Sequence, residues 1–255
     1  MVNLGLKLWS DNDEYMPHAE ELYREGYYDF IELYAVPGTS KEYLDRWKSL
    51  GVKFVIHAPH SFHGFNLADS GRAGRNKVLF EEARRFADGL AAEHIVVHPG
   101  VLGTEDAVFE QLKVFGDSRV LLENMPYRAL DKGICAGHDP ERVRDLVSSC
   151  HIGFCLDIAH ASNYAINFGW DYCDVLEEFM CIEPKLIHMC GIDISSETDS
   201  HLHLKDSQVS MDEIGAIIRG SGVKRCTLET PKDSRINLDD FKEEISTARK
   251  ILGGS

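Results

Sequence analysis

The pattern that most limits the fold is an alternation of short apolar runs with amphipathic segments. Eight runs, at residues 3–8, 30–35, 53–57, 95–98, 119–123, 153–157, 185–189 and 225–229, read as strands. Between and after them lie segments with helical spacing, at 16–27, 41–50, 77–91, 105–115, 140–148, 172–180, 211–219 and 238–252. Thr104, Ser210 and Asn237 stand where helix N-caps belong. Runs such as FVIH, IVVH and VLLE are apolar at consecutive positions, which suits parallel strands covered on both faces. Eight strand–helix units in 255 residues is the count that closes a (β/α)8 barrel. Residues 1–255 therefore read as a single-domain α/β TIM barrel, with a doubly wound sheet as the alternative.

Charge narrows the partners. Lys and Arg number 27 against 42 Asp and Glu, a net charge of −15, which argues against coating nucleic acid by bulk charge. No run approaches the length needed to span a bilayer, so no membrane role is expected. The first residues, MVNLGLKLWSDNDEY, lack the basic start and apolar stretch of a signal peptide, and a cytoplasmic location is expected. The seven cysteines form no CxxC pair and several sit in apolar runs, which suits reduced, buried thiols. Arg72, Arg75, Lys77, Arg84 and Arg85 read as a solvated helix face.

The 12 histidines are more than solubility or a core requires, and their placement is informative. Strand ends carry His57, His98, Glu123, Asp157 with His160 one turn on, His188 and Glu229. The long loop 191–210 adds Asp199 and His201. In a parallel barrel these ends open on one face, which holds the active site. Imidazoles and carboxylates gathered there need compensation, and divalent cations supply it: Zn2+ fits this donor set, and Mn2+ or Fe also suit it. The nine side chains exceed what one ion needs.

The stretches IHAPH with Asn66-Leu67, VVHPG, LLEN, CLDIAHA, DSHLHL and LET resemble the xylose isomerase-like barrel superfamily. Within it they are most similar to the endonuclease IV family of zinc-dependent apurinic/apyrimidinic endonucleases. The resemblance implies up to three zinc ions. His57, His98 and Glu123 would hold the first, and Glu123 would bridge to a second completed by Asp157, His188 and Glu229. His160, Asp199 and His201 would hold the third. It further implies phosphodiester cleavage by water, with Glu123 and Glu229 as catalytic residues, and a role in DNA repair.

The substrate-binding stretches depart from that family. VPGTSKEY after the second strand lacks the Arg- and Asn-rich stretch that enters the DNA minor groove. His60 replaces the tyrosine used at the abasic site, and Ser61-Phe62-His63 lengthens the segment. The stretches after His188 and His201 become Met189-Cys190-Gly191-Ile192 and Leu204-Lys205-Asp206-Ser207. The expected partner is therefore a phosphate-containing small molecule or DNA; no protein partner is indicated. Trp9, His60, Asn66 and His203 are candidate substrate contacts. Trp9 reads equally as barrel-mouth packing, and His60, His63 and His203 as solvated loop residues. Arg128, Lys132, Lys232 and Arg235 lie in loops on the same face and could meet a phosphate.

Two other functions fit the pattern. A sugar or polyol isomerase or epimerase of the same superfamily would use one Mn2+, Co2+ or Mg2+ on Glu123, Asp157, His188 and Glu229, the glutamates shuttling a proton. Such an enzyme has no need of His98, Asp199 and His201 as ligands. A barrel that only binds a partner would have lost ligands, and none is missing.

Overall fold

The computed structural model describes residues 2–234 and 236–253. The strands are β1 (Asn3–Trp9), β2 (Phe30–Tyr34), β3 (Lys53–His57), β4 (Ile95–Val97), β5 (Val120–Glu123), β6 (Gly153–Asp157), β7 (Leu186–Met189) and β8 (Arg225–Leu228). All pair in parallel in chain order, and β8 returns to β1 to close the barrel. Around them lie α1 (Met16–Arg24), α2 (Lys41–Ser49), α3 (Ala73–Gly89), α4 (Glu105–Phe115) and α5 (Pro140–Cys150). The outer ring continues with α6 (Ile158–Phe168), α7 (Tyr172–Met180), α8 (Met211–Ser221) and α9 (Asp239–Gly253). The chain is thus a (β/α)8 barrel, with strands where the apolar runs place them.

One helix departs from that reading. α6 precedes α7 in the sixth unit, and Asp157 starts it by accepting the His160 N–H at 2.7 Å. Residues 158–165 are all buried, so no polar face marks the helix in the sequence. Thr104 and Ser210 cap α4 and α8 as expected. Asn237 accepts the N–H of Asp239, where α9 begins.

Strand residues alternate between two cores, as a period of two requires. Leu4, Leu6, Leu8, Ile31, Leu33, Ile56, Leu122 and Leu156 face outward and join the buried helix side chains in one cluster. A second, separate cluster of Phe30, Val55, Val96, Leu121, Cys155 and Leu186 plugs the barrel interior. Gly5 belongs to this level: a Cβ there would lie 2.4 Å from the Phe30 ring, so the plug needs glycine. Two residues further along each strand the interior turns polar. Register pairs Lys7 with Glu32, and Asp157 with His188, at that level. Further out, Trp9 pairs with Tyr34 at the mouth.

All seven cysteines are free. Most of the basic residues around α3 are tied locally. Arg72 pairs with Asp69, Arg84 with Glu81 and Asp117, Arg85 with Glu82, and Arg75 donates to the His63 carbonyl. Among the described residues no helix is long and apolar enough to cross a membrane.

Candidate metal centre

The plug sets the depth of the site, since the next inward residue on most strands emerges just above it. His57, Glu123, Asp157 and His188 arrive in this way, all nearly or fully buried. His98 and Glu229 continue β4 and β8 inward, and His160 comes from the first turn of α6. Asp199 and His201 enter on the 191–210 loop, which a backbone pairing of Gly191 with Leu202 folds back across the barrel. His57, His98, Glu123, His160, Asp199, His201 and Glu229 line a cavity of about 420 Å³ at the C-terminal ends of the strands, with Asp157 and His188 buried behind it.

The structure brings all nine candidate ligands together in three adjoining groups. Glu123 stands between two of them. Its Oε2 is 3.2 Å from His57 Nε2 and 3.0 Å from His98 Nε2. Its Oε1 is 3.3 Å from His188 Nδ1, which is also 3.1 Å from Glu229 and 3.9 Å from Asp157. In the third group Asp199 Oδ2 lies 3.5 Å from His160 Nε2 and 3.1 Å from His201 Nε2.

Backbone carbonyls and one carboxylate fix how the imidazoles present themselves. A carbonyl only accepts, so the Nδ1–H groups of His57, His160 and His201 donate to Ala58, Asn124 and Glu229 at 2.7, 2.8 and 2.8 Å. His188 is turned the other way: its Nε2–H donates to Glu32 at 2.9 Å. In each case the remaining nitrogen faces a carboxylate, and its lone pair meets oxygen lone pairs. Only a proton or a cation between them relieves that contact. An outer partner on the far nitrogen is the arrangement found around metal-ligating histidines.

The electrostatics of the site without an ion agree. Burial lowers the basicity of His201, but Asp199 outweighs it and raises the imidazolium pKa to about 10. His160 behaves alike: burial opposes its charge, and Asp157 and Asp199 outweigh that effect. Burial raises the Asp157 carboxyl to about 6. Protons thus take the place of cations at His160, His188 and His201, whereas burial and Lys7 keep His57 from charging. Asp199 Oδ1 is buried with no hydrogen-bond partner, an acceptor left for such an ion. The donor set therefore fits divalent cations.

Sequence reasoning passed over Lys7 and Glu32. Lys7 Nζ lies 2.5 Å from both Glu32 and Glu229 and lines the cavity. Glu32, fully buried, also accepts from Thr227 Oγ1 at 2.6 Å. Burial works against both charges. The Glu229 and Glu32 carboxylates nevertheless hold Lys7 above its ordinary value, and His188 and Lys7 hold Glu32 below its own. A charged residue at an inward position of LGLKLW, and another in FIELY on the next strand, was the available signal.

The weaker candidates separate. Trp9 and His60 line the cavity, as does Lys232. Burial beside His98 and His57 drives His60 down to about 2, so it is a neutral imidazole. His63 bonds the Tyr34 hydroxyl at 2.7 Å. Asn66 and His203 are not among the cavity-lining side chains. The Asn66 amide donates to the Val101 carbonyl and accepts the Val101 N–H, fastening the loop after β4. Gly100, at φ 113°, makes room for it, since a Cβ there would meet Asn66 Oδ1 at 2.0 Å. His203 ties its loop to α9 through Glu244 at 2.8 Å and also reaches Asp233 at 3.1 Å, which replaces the reading of a solvated histidine. Arg128 packs over the Tyr127 ring and contacts the Lys132 carbonyl, and Arg235 lies outside the described residues.

Two predictions come from these contacts. Lys7→Met leaves fully buried Glu32 and largely buried Glu229 without their ammonium and should destabilise metal-free protein by about 3–5 kcal/mol. Adding Glu32→Gln should recover much of that loss in chemical denaturation; a Lys7→Met protein as stable as wild type contradicts the pairing. Metal-free protein should also release protons as it takes up Zn2+. Because the His160, His188 and His201 pKa values are raised, affinity should tighten with rising pH, about tenfold per unit for each displaced proton, until His201 deprotonates. Calorimetry in buffers of different ionisation enthalpy counts the protons, and uptake without release contradicts this charge state.

Comparison with known proteins agrees with the architecture. A probable endonuclease 4 of Clostridium botulinum (strain Alaska E43 / Type E3) is 26% identical over 230 residues, 80% of this chain and 79% of the relative. Endonuclease IV from Thermus thermophilus is 22% identical and superposes with a TM-score of 0.70, covering 96% of this chain and 99% of that one. A D-tagatose 3-epimerase-like protein is 21% identical, with a TM-score of 0.75 over 99% of this chain and 97% of its own. The model of xylose isomerase-like TIM barrels matches residues 19–251, and the chain belongs to that family.

Proposed function

We propose that the chain is a metal-dependent phosphoester hydrolase that works with up to three zinc ions, a set for which Mn2+ is also suited. One observation carries this reading. His98, Asp199 and His201 converge beside Glu123, Asp157, His188 and Glu229, where a one-metal isomerase needs only the last four. The likeness to a probable endonuclease 4 supports the same chemistry. Duplex DNA is not favoured as substrate, because the chain carries a net −15 and only residues 35–40 connect β2 to α2.

In this reading His57, His98 and Glu123 would hold one ion, Glu123, Asp157, His188 and Glu229 a second, and His160, Asp199 and His201 a third. Divalent cations, when bound there, would supply an acidic water near neutral pH and positive charge for the phosphoryl oxygens. The chain's own groups set the geometry. Glu123 presents one oxygen to His57 and His98 and the other to His188, so it would serve both of the first two groups. Lys7 steadies Glu229 and stays an ammonium, so it acts as a fixed positive charge and not as a base. Glu32 holds the His188 Nε2 proton and leaves Nδ1 free to ligate. Water adds to phosphorus, the bond to the leaving oxygen breaks, and that oxygen departs with a proton.

The test is hydrolysis of bis-p-nitrophenyl phosphate, with abasic duplex DNA and a ketose panel run in parallel. Glu123→Gln should lower phosphodiester turnover by about three orders of magnitude and weaken two metal positions together. His201→Ala should also abolish it. Ketose epimerisation that survives His201→Ala, with no phosphodiester turnover in wild type, would replace this reading with the epimerase.

A further inference from the structure

The hydrolase reading leaves unused an aromatic wall that rises from the metal-ligand level to the mouth. Trp9 ends β1 and is 41% exposed while lining the cavity. Its ring leans on Tyr34 at 5.1 Å between centroids and 32° between planes. Tyr34 in turn leans on His57 at 5.5 Å and 32°. Trp9, Tyr34 and His57 are successive register partners on β1, β2 and β3, so the barrel itself builds this stair.

The middle step is fixed. Tyr34 is 2% exposed, and its hydroxyl bonds His63 Nδ1 at 2.7 Å and accepts the His60 N–H at 3.0 Å. Trp9 is anchored by its backbone N–H, which donates to Asn12 Oδ1 at 2.8 Å. His63 meets the indole edge-on, at 6.3 Å and 68°. A rigidly backed, half-exposed indole bordering a cavity is a stacking surface in search of a planar group.

Distance selects the ligand. Trp9 stands two ring spacings from His57, at the level of the clustered carboxylates and imidazoles. A phosphoryl group held at that floor reaches Trp9 only through a spacer. In a nucleoside phosphate the sugar is that spacer and the base is the planar end. A sugar phosphate without a base offers the indole no planar face to stack on.

We infer that Trp9 is a stacking platform for the base of a nucleoside phosphate whose phosphoryl group lies among the clustered carboxylates and imidazoles. The inference rests on the phosphoester reading above and adds the substrate class to it. Metal-loaded protein, purified without chelator, is titrated with adenosine 5′-monophosphate and with ribose 5-phosphate, which lacks the base. The nucleotide should bind on the order of tenfold more tightly. Trp9→Ala should erase that difference without changing metal content or ribose 5-phosphate affinity, and Trp9→Phe, which keeps a ring face, should restore much of it. Equal affinities in wild type, a gap that survives Trp9→Ala, or a Phe variant that behaves like Ala overturns the platform and leaves the hydrolase reading standing. Failure of both phosphates to bind, with metal content intact, defeats the phosphoester reading and the platform with it.

Discussion

Everything at the open end of this barrel answers to one constraint: imidazole nitrogens that have already given their protons elsewhere are held against carboxylates. His57, His160 and His201 donate to backbone carbonyls and His188 to Glu32, so the nitrogens left over point at Glu123, Asp199 and Glu229. Two lone-pair donors at about 3 Å repel unless positive charge lies between them. Protons supply it at His160, His188 and His201 in metal-free protein, where nearby carboxylates outweigh the effect of burial; at His57 burial and Lys7 oppose the charge, and the contact with Glu123 stays unrelieved. Divalent cations supply it better, because each can serve several donors at once.

The rest of the fold keeps that charge cluster dry below and reachable above. The plug of Phe30, Val55, Val96, Leu121, Cys155 and Leu186 seals the interior beneath it, with Gly5 giving the Phe30 ring its space. Lys7 and Glu32 form the boundary layer, a buried carboxylate and a largely buried ammonium justified by what each holds: Lys7 steadies Glu229 and Glu32 orients His188. Asn124 ties β5 to β6 by donating to the Asp157 carbonyl and accepting the Asp157 N–H, which sets the candidate ligands Glu123 and Asp157 in register. Above the cluster, Tyr34 and Trp9 carry an aromatic face outward to the mouth.

Much of this was legible in the sequence because a closed parallel barrel converts chain order into position. A strand that is apolar on both faces and ends in His or Glu delivers that side chain to one rim, whatever its loops do. His57, Glu123, Asp157 and His188 were readable on those grounds, and the grouping of the nine donors came from family resemblance. α6 was hidden because full burial erased its polar face. Lys7 and Glu32 were hidden because charge inside an apolar strand shows no partner, and the two lie 25 residues apart. Asn66 entered through the family resemblance and His203 through its place beside candidate ligands in the chain, and both join distant segments. His203 meets Glu244, 41 residues on, and nothing local marks that contact.

The most direct measurement is metal content per chain, by elemental mass spectrometry, on protein purified without chelator. A cluster in which every facing donor pair is bridged by a cation predicts about three zinc ions per chain. One manganese, cobalt or magnesium per chain, or none, would contradict it.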